Sequence, residues 1–463
     1  MTRVWVGAAA ALMLVTVGAA MAGVVWLPLA LAILVAVGAA LIRRPQRGLL
    51  LVAALTPYNG LLLISHLPTA ATYWKELVVL ATMGAGLLSP QETRADPGRK
   101  LPGWAPAVGG WLVVGLVSAV GVGLIQAYTG YRIDFFYVLL AVAIWRNPLR
   151  GRDLDRLVSI LMLNGVITSL VGILQQVLGA GRLNSLGYQY NSVIRFSGSH
   201  LRSFSTFNQP FPFGLYVMIV LLVGVPVALS DRSRLRNRLF LACLPILGVG
   251  ILTSLVRAAW LGLGVGIVFL GLRRHRILLS VIPLALVALL YVPGSLTNTA
   301  LSSSSFQDRT NTWSQNFDHV LVHPLGEGIG STGSAAAKTA ALTAVATGSP
   351  TLQPDNYYFS TLYELGVPGL YFLVLLLLAA ILETDRAARR TIGLESEVCL
   401  GITASFLAAA VAMTVATYLQ IYPMDLTFWM FLGISATYSV RQADAPVGQR
   451  SLADRLRPAT TRS

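Results

Sequence analysis

Charge is what this sequence has least of. Only 11% of its 463 residues are Asp, Glu, Lys or Arg, where a soluble domain carries about a quarter. With 55% of residues hydrophobic, an ordinary soluble enzyme is excluded, and the chain reads as a polytopic membrane protein. Cysteine is equally scarce. Cys243 and Cys399 both lie in apolar segments, which argues against a disulfide framework and leaves two small core residues. There is no CxxC, HExxH or P-loop pattern, so no metal, nucleotide or other cofactor is expected. A repeat of solenoid period is missing, and no inverted repeat is strong enough to argue a transporter.

What the chain does have is apolar runs of membrane-crossing length. Fourteen stand out, near 4–22, 24–42, 48–65, 73–89, 104–127, 133–146, 155–179, 209–229, 239–255, 258–272, 277–293, 358–382, 398–418 and 425–440. Those at 133–146 and 258–272 are short for the roughly 20 residues that a span needs. The first run is expected to be a retained helix. The fold expectation is therefore all-α, with about 12–14 transmembrane helices in a single transmembrane domain over residues 1–440. The Arg-, Ala- and Pro-rich residues 441–463 are expected to form a disordered cytoplasmic tail.

Placing the N-terminus inside and alternating puts 26 of the 34 basic residues in short inside segments. Positive charge on the cytoplasmic side is the expected bias, so both termini are cytoplasmic. The same bias accounts for the net charge of +15 without nucleic acid. The long loops, 180–208 and 294–357, then lie outside. Long ordered loops in a compact protein commonly carry function.

Eight basic residues remain outside: Lys75, Arg132, Arg182, Arg195, Arg202, Arg257, Arg309 and Lys338. A lone interfacial Arg is ordinarily a snorkelling lipid contact. Arg257 is harder to dismiss, because "ILTSLVRAAWLGLGVG" flanks it with apolar residues on both sides. A charge there needs a cavity or a partner. Arg195 and Arg202 are seven residues apart and would share a face if their stretch were helical. Guanidinium groups bind phosphate bidentately. A group of them at the outer face could hold the phosphates of a lipid-linked sugar diphosphate and stabilise it as a leaving group.

Four segments, in order, carry a family resemblance: "LRSFSTFNQP", "TSLVRAAWLGL", "DRTNTWSQNFDHVLVHPLGEGIGS" and "PDNYYFSTLYELGVPGL". Across about 190–380 the chain resembles the O-antigen ligase and O-antigen polymerase superfamily of bacterial envelope glycosyltransferases. The resemblance implies a GT-C-type helical fold with a large periplasmic loop, in the bacterial inner membrane. It implies transfer of a saccharide from an undecaprenyl diphosphate carrier to a sugar hydroxyl, inverting and metal-independent. The acceptor is another carrier-linked glycan (polymerase) or lipid A core (ligase), and a chain-length regulator and a flippase are the protein partners it suggests. Membrane lipids complete the partner set. Arg202 and Arg257 are the arginines carried over for the diphosphate, with Arg195 and Arg309 as weaker candidates.

One position departs from the ligase pattern. Ligases place a His before the Asn of the last element, and here it is Asp355. With an ordinary pKa near 3.9, Asp is a weak base unless its surroundings raise it. The departure favours a polymerase. It leaves Glu327, His323 and His319 as other loop groups able to act as base. Asn356 and Tyr357 are candidate sugar-lining residues. Glu364 is expected to face protein and to pair with an outside Arg, and Lys75 to pair with Glu76 in the same cavity or to anchor the interface. Gly366 and Gly369 are expected to allow close helix packing. A transporter or flippase of similar membrane class is the alternative outside glycosyl transfer.

Overall fold

The computed structural model describes residues 41, 44–65, 69–88, 101–280, 322–343 and 352–439. Expected spans 4–22, 24–42 and most of 277–293, the tail, Arg309 and His319 lie outside these.

The described chain is almost entirely helical. Fourteen α-helices run in order: α1 (Gln46–Leu55), α2 (Trp74–Leu88), α3 (Ala105–Ser118), α4 (Leu124–Phe135), α5 (Val138–Arg146), α6 (Arg152–Ser185), α7 (Pro210–Ser230), α8 (Leu235–Ala242), α9 (Leu244–Thr253), α10 (Arg257–Arg273), α11 (Gly333–Thr343), α12 (Tyr357–Arg390), α13 (Gly393–Ala412) and α14 (Met424–Ser439). One two-stranded hairpin, β1 (Arg195–Ser197) and β2 (His200–Arg202), interrupts them. The protein is an all-α polytopic membrane protein.

By length and composition α6, α7, α12 and α13 can each cross a membrane, and the bent pairs α4/α5 and α8/α9, each turned by 45°, bring the number to six among the described residues. Three of the fourteen apolar runs lie largely outside the described residues, and turn chemistry cuts several of the others. The run at 48–65 leaves α-helix at Leu55, and Pro57 opens a 3₁₀ segment over Thr56–Leu63. The run at 104–127 ends as α3 at Ser118, and its last residues start α4 instead.

α7 forms the centre. It is apolar all round and buried along nearly its whole length, as a helix enclosed by other helices must be. α10 and α13 close on it where small residues face it. Gly266 leaves room for Leu222, Gly262 for Met218, and Gly401 for the backbone at Leu222 and Val223. Such small-residue contacts allow helix backbones to approach in a membrane, where apolar burial alone drives little association.

Ion pairs fix which helix ends lie together. Arg273, at the end of α10, contacts both Asp385 oxygens at 2.6 Å near the end of α12. Arg274 reaches Glu397 at 2.6 Å, and His275 meets the same carboxylate at 2.8 Å, at the start of α13. The opposite ends of these helices therefore share the other end of the molecule. There Tyr357 N–H donates to the Met413 carbonyl (2.8 Å) just beyond α13. This end carries Arg257 and Asp355.

Candidate functional site

Arg257 is the first residue of α10 and follows a built break in the chain. Leu255 has φ 51°, a left-handed conformation uncommon outside glycine. Ser254 stabilises the break: its hydroxyl donates to the Ile251 carbonyl (2.6 Å) and accepts from Val256 N–H (3.3 Å). Gly214 of α7 lies so close that a Cβ would meet Ser254 Oγ at 2.6 Å. A cation at a helix N-terminus faces the positive end of the dipole, so Arg257 adds to an already anion-seeking end.

Arg202 is tied to the same break. Its Nε donates to the Ser254 carbonyl (3.3 Å), and its guanidinium lies 4.9 Å from the Phe211 ring centre. Arg195 stands directly across the hairpin from Arg202. The helical face expected for these two residues is therefore corrected to a cross-strand pair. The reason is the "SGSH" turn, whose two-residue loop opens on Gly198 at φ 58°, the pattern of a type II′ hairpin. Like charges directly opposite destabilise a strand pair. Desolvation, then the charges of Arg195 and Arg257, pull the Arg202 pKa down to about 10. It stays protonated at neutral pH, and a bound anion would relieve the repulsion.

The hairpin is positioned by two amides of α6. Gln175 Oε1 accepts from Phe204 N–H (3.1 Å) and Ser205 N–H (2.7 Å), and its Nε2 donates to the Ser205 carbonyl (2.8 Å). Gln176 Nε2 donates to the Leu201 carbonyl (2.9 Å). Gln175→Ala leaves two buried N–H groups unpaired, at a cost of about 2–4 kcal/mol. Inorganic diphosphate is expected to raise the melting temperature of the wild type and not that of Gln175→Ala; an equal rise in both would show that the amide does not position the trio.

The Gly-rich segment "HPLGEGIGST" and the "ELGVPG" stretch of α12 form one unit. Gly366 breaks the helix at φ 66°, ψ −166°, and Pro368 has no N–H to donate. The carbonyls freed at the break are taken by the loop: Glu327 N–H donates to Tyr363 O (2.8 Å) and Gly328 N–H to Glu364 O (3.0 Å). In return Val367 N–H donates to Pro324 O (2.9 Å). Gly326, Gly328 and Gly330 all have positive φ, so the loop needs glycine at these turns. The role expected for Gly366, helix packing, is thus corrected to a helix break.

Glu364 completes this unit. It is 2% exposed, and its carboxylate accepts from Gly330 N–H (3.0 Å), Thr332 N–H (3.0 Å) and the Thr332 hydroxyl (2.5 Å). These contacts engage Glu364 with the loop backbone, where an arginine partner was expected. His323 Nδ1 lies 3.3 Å from Glu327 Oε1 on the loop's outer surface. Glu327 also lines a cavity of about 420 Å³ against α3.

At the mouth of α12, Asp355 is exposed. Asn356 is the helix cap, its side chain accepting from Phe359 N–H at 3.1 Å. Tyr357 is buried at 1% exposure, with its hydroxyl 3.4 Å from Asp134. Asn356 and Tyr357 thus have structural contacts of their own.

Lys75 sits in a second polar group. Its Nζ lies 3.7 Å over the Tyr422 ring. Its neighbour Glu76 pairs with Arg132 at 2.6 Å. The charges of Glu76, Asp425, Lys338 and Arg132 all act on Lys75. The sequence reading missed Asp134 and Asp425 here. Asp425 is a carboxylate within the mostly apolar run "YPMDLTF", and Asp134 stands beside Arg132 in "YRIDFF", itself flanked by apolar sequence; those mismatches were the available signal.

Residues 240–374 match the family model described as O-Antigen ligase. The match takes in Arg257, the Gly-rich loop, Asp355 and Glu364, and it stops short of the hairpin with Arg195 and Arg202. No curated protein matches the chain.

Proposed function

We propose, for a chain whose residues 240–374 match the O-antigen ligase family model, that Arg195, Arg202 and Arg257 bind the diphosphate of an undecaprenyl-linked saccharide. The observation that carries this reading is that Arg202 is tied to the break that Arg257 follows, with Arg195 across the hairpin and both other charges acting on Arg202. The family supports membrane glycan processing with carrier-linked substrates. The positive-inside bias supports a non-cytoplasmic position for the arginine end, and the family match supports the periplasmic face of a bacterial inner membrane.

The chemistry is substitution at the anomeric carbon. The acceptor hydroxyl attacks, the bond to the carrier phosphate breaks, and negative charge develops on the departing diphosphate. Fixed cations at that charge stabilise the transition state more than the ground state. The hydroxyl's proton needs an acceptor. Asp355 is the proposed one, as the exposed carboxylate at the mouth of α12 on the same end. The His323–Glu327 pair is a second proton-accepting arrangement, on the Gly-rich loop.

Asp355 in place of the ligase His favours a polymerase, which extends one carrier-linked glycan with another. The family description favours a ligase reading. A transporter would use broken helices to line a path. In α12 the break is filled by the Gly-rich loop, which favours chemistry at one face. Incubating the purified protein with a defined undecaprenyl diphosphate saccharide separates the readings. A ladder growing by whole repeats is expected. Transfer only to lipid A core would make it a ligase, and no release of undecaprenyl diphosphate would remove the glycosyltransferase reading.

A further inference from the structure

One face of the hairpin carries polar residues besides the two arginines. Directly opposite residues of an antiparallel pair lie on the same face, as do residues two apart on one strand. Arg195 stands across from Arg202, and Ser197 across from His200, so these side chains share a face. Phe196 and Leu201 form the other face, where Leu201 packs with Leu183, Tyr188 and Phe204. The polar face is the one turned to the break between α9 and α10, since Arg202 Nε donates to the Ser254 carbonyl at 3.3 Å.

His200 is unused by the contacts described so far. Its Nδ1 is buried and finds no hydrogen-bond partner among the described residues. Buried polar atoms are almost always paired, and an unpaired one is costly. The backbone fixes where the ring starts: Gly198 sets the turn before it, and Gln176 Nε2 holds the Leu201 carbonyl after it at 2.9 Å. The Ser197–His200 rung lies two residues from the Arg195–Arg202 rung, a rise of about 7 Å. A phosphate seated on the arginine rung occupies that rung. A second phosphate joined to it extends toward the next rung, and its oxygens accept from a ring N–H.

We infer that His200 makes the site specific for a diphosphate over a monophosphate: the arginines hold one phosphate, and His200 donates from Nδ1 to the other. The inference rests on the arginine reading proposed above and deepens it by naming the group that tells two phosphates from one. Guanidinium groups alone would take either ligand, because each phosphate offers them the same pair of oxygens. A donor on the second rung is engaged by the longer ligand and not by the shorter.

The test is equilibrium binding of undecaprenyl diphosphate and undecaprenyl monophosphate to the full-length protein in nanodiscs. His200→Phe keeps a ring without a donor. It should weaken the diphosphate at least tenfold and the monophosphate less than threefold. His200→Asn places an amide nitrogen near the position of Nδ1 and should recover most of the loss. His200→Gln, whose amide reaches the position of Nε2, should recover little. Wild-type affinity for the diphosphate in His200→Phe, or rescue by Gln and not by Asn, would overturn the inference. A second measurement uses the unsubstituted protein, so it holds even if His200→Phe folds poorly. The chain has five histidines; with nitrogen-15 in their rings, the signal missing from His200→Asn should shift in the wild type on adding the diphosphate and not on adding the monophosphate. A signal unmoved by the diphosphate would overturn the inference. Loss of the preference in Arg202→Ala/Arg257→Ala but not in His200→Phe would leave the arginine reading standing and remove His200 from the site; the reverse pattern would keep His200 and remove the arginines.

Discussion

Arg257→Ala is expected to reduce glycan transfer by a factor of about 10²–10³, the range seen when one fixed donor to a developing oxyanion is removed. The protein should still fold and insert. Arg257 sits at the first turn of α10, where loss of a cation from the positive end of the dipole does not weaken the helix. Arg257→Lys should recover less than a tenth of the lost activity. Lysine restores the charge but not the planar fork that holds two phosphate oxygens at once. The check is kcat/KM in membranes or nanodiscs beside the amount of inserted protein. Full activity of Arg257→Ala at normal expression would remove this residue from the site.

The second large effect is structural. At Gly366 a Cβ would lie 2.3 Å from the Pro324 carbonyl oxygen, in a backbone conformation of φ 66°, ψ −166°. That region of conformational space is essentially glycine's, and strain there costs about 1–3 kcal/mol before the clash is added. Gly366→Ala should therefore push "HPLGEGIGST" off α12, costing about 3–5 kcal/mol in all. Glu364→Ala should reach a similar cost by another route, because it orphans two buried backbone N–H groups, those of Gly330 and Thr332. Glu364→Gln keeps an acceptor and should cost less. Both severe variants should lower the melting temperature and expose the loop to protease. A variant with wild-type stability and a raised KM would instead mean that Glu364 serves the substrate.

These two predictions draw on different depths of sequence reading. The membrane class, α7 and the position of Arg257 were legible because each depends on a local signal: a long apolar run, an entry proline, a charge stranded in apolar sequence. The "HPLGEGIGST" and "ELGVPG" segments were recognisable as a pair of motifs. Their physical relation was not, since a carbonyl freed by a kink and an N–H from a distant loop leave no periodicity in the chain. The Arg195–Arg202 pairing turned on one residue, Gly198, whose turn outweighed helical spacing. The Glu76–Arg132 pair joins residues far apart in sequence, and the packing of α2 against α5, which follows α4 directly, brings them together.

The central claim is that the guanidinium trio holds a diphosphate. Equilibrium binding of undecaprenyl diphosphate, set against undecaprenyl monophosphate, tests it most directly in the wild type and in Arg202→Ala/Arg257→Ala. The wild type is expected to prefer the diphosphate at least tenfold, and the double variant to lose this preference while remaining folded. Equal affinity for the two lipids in the wild type, or an undiminished preference in the double variant, would contradict it.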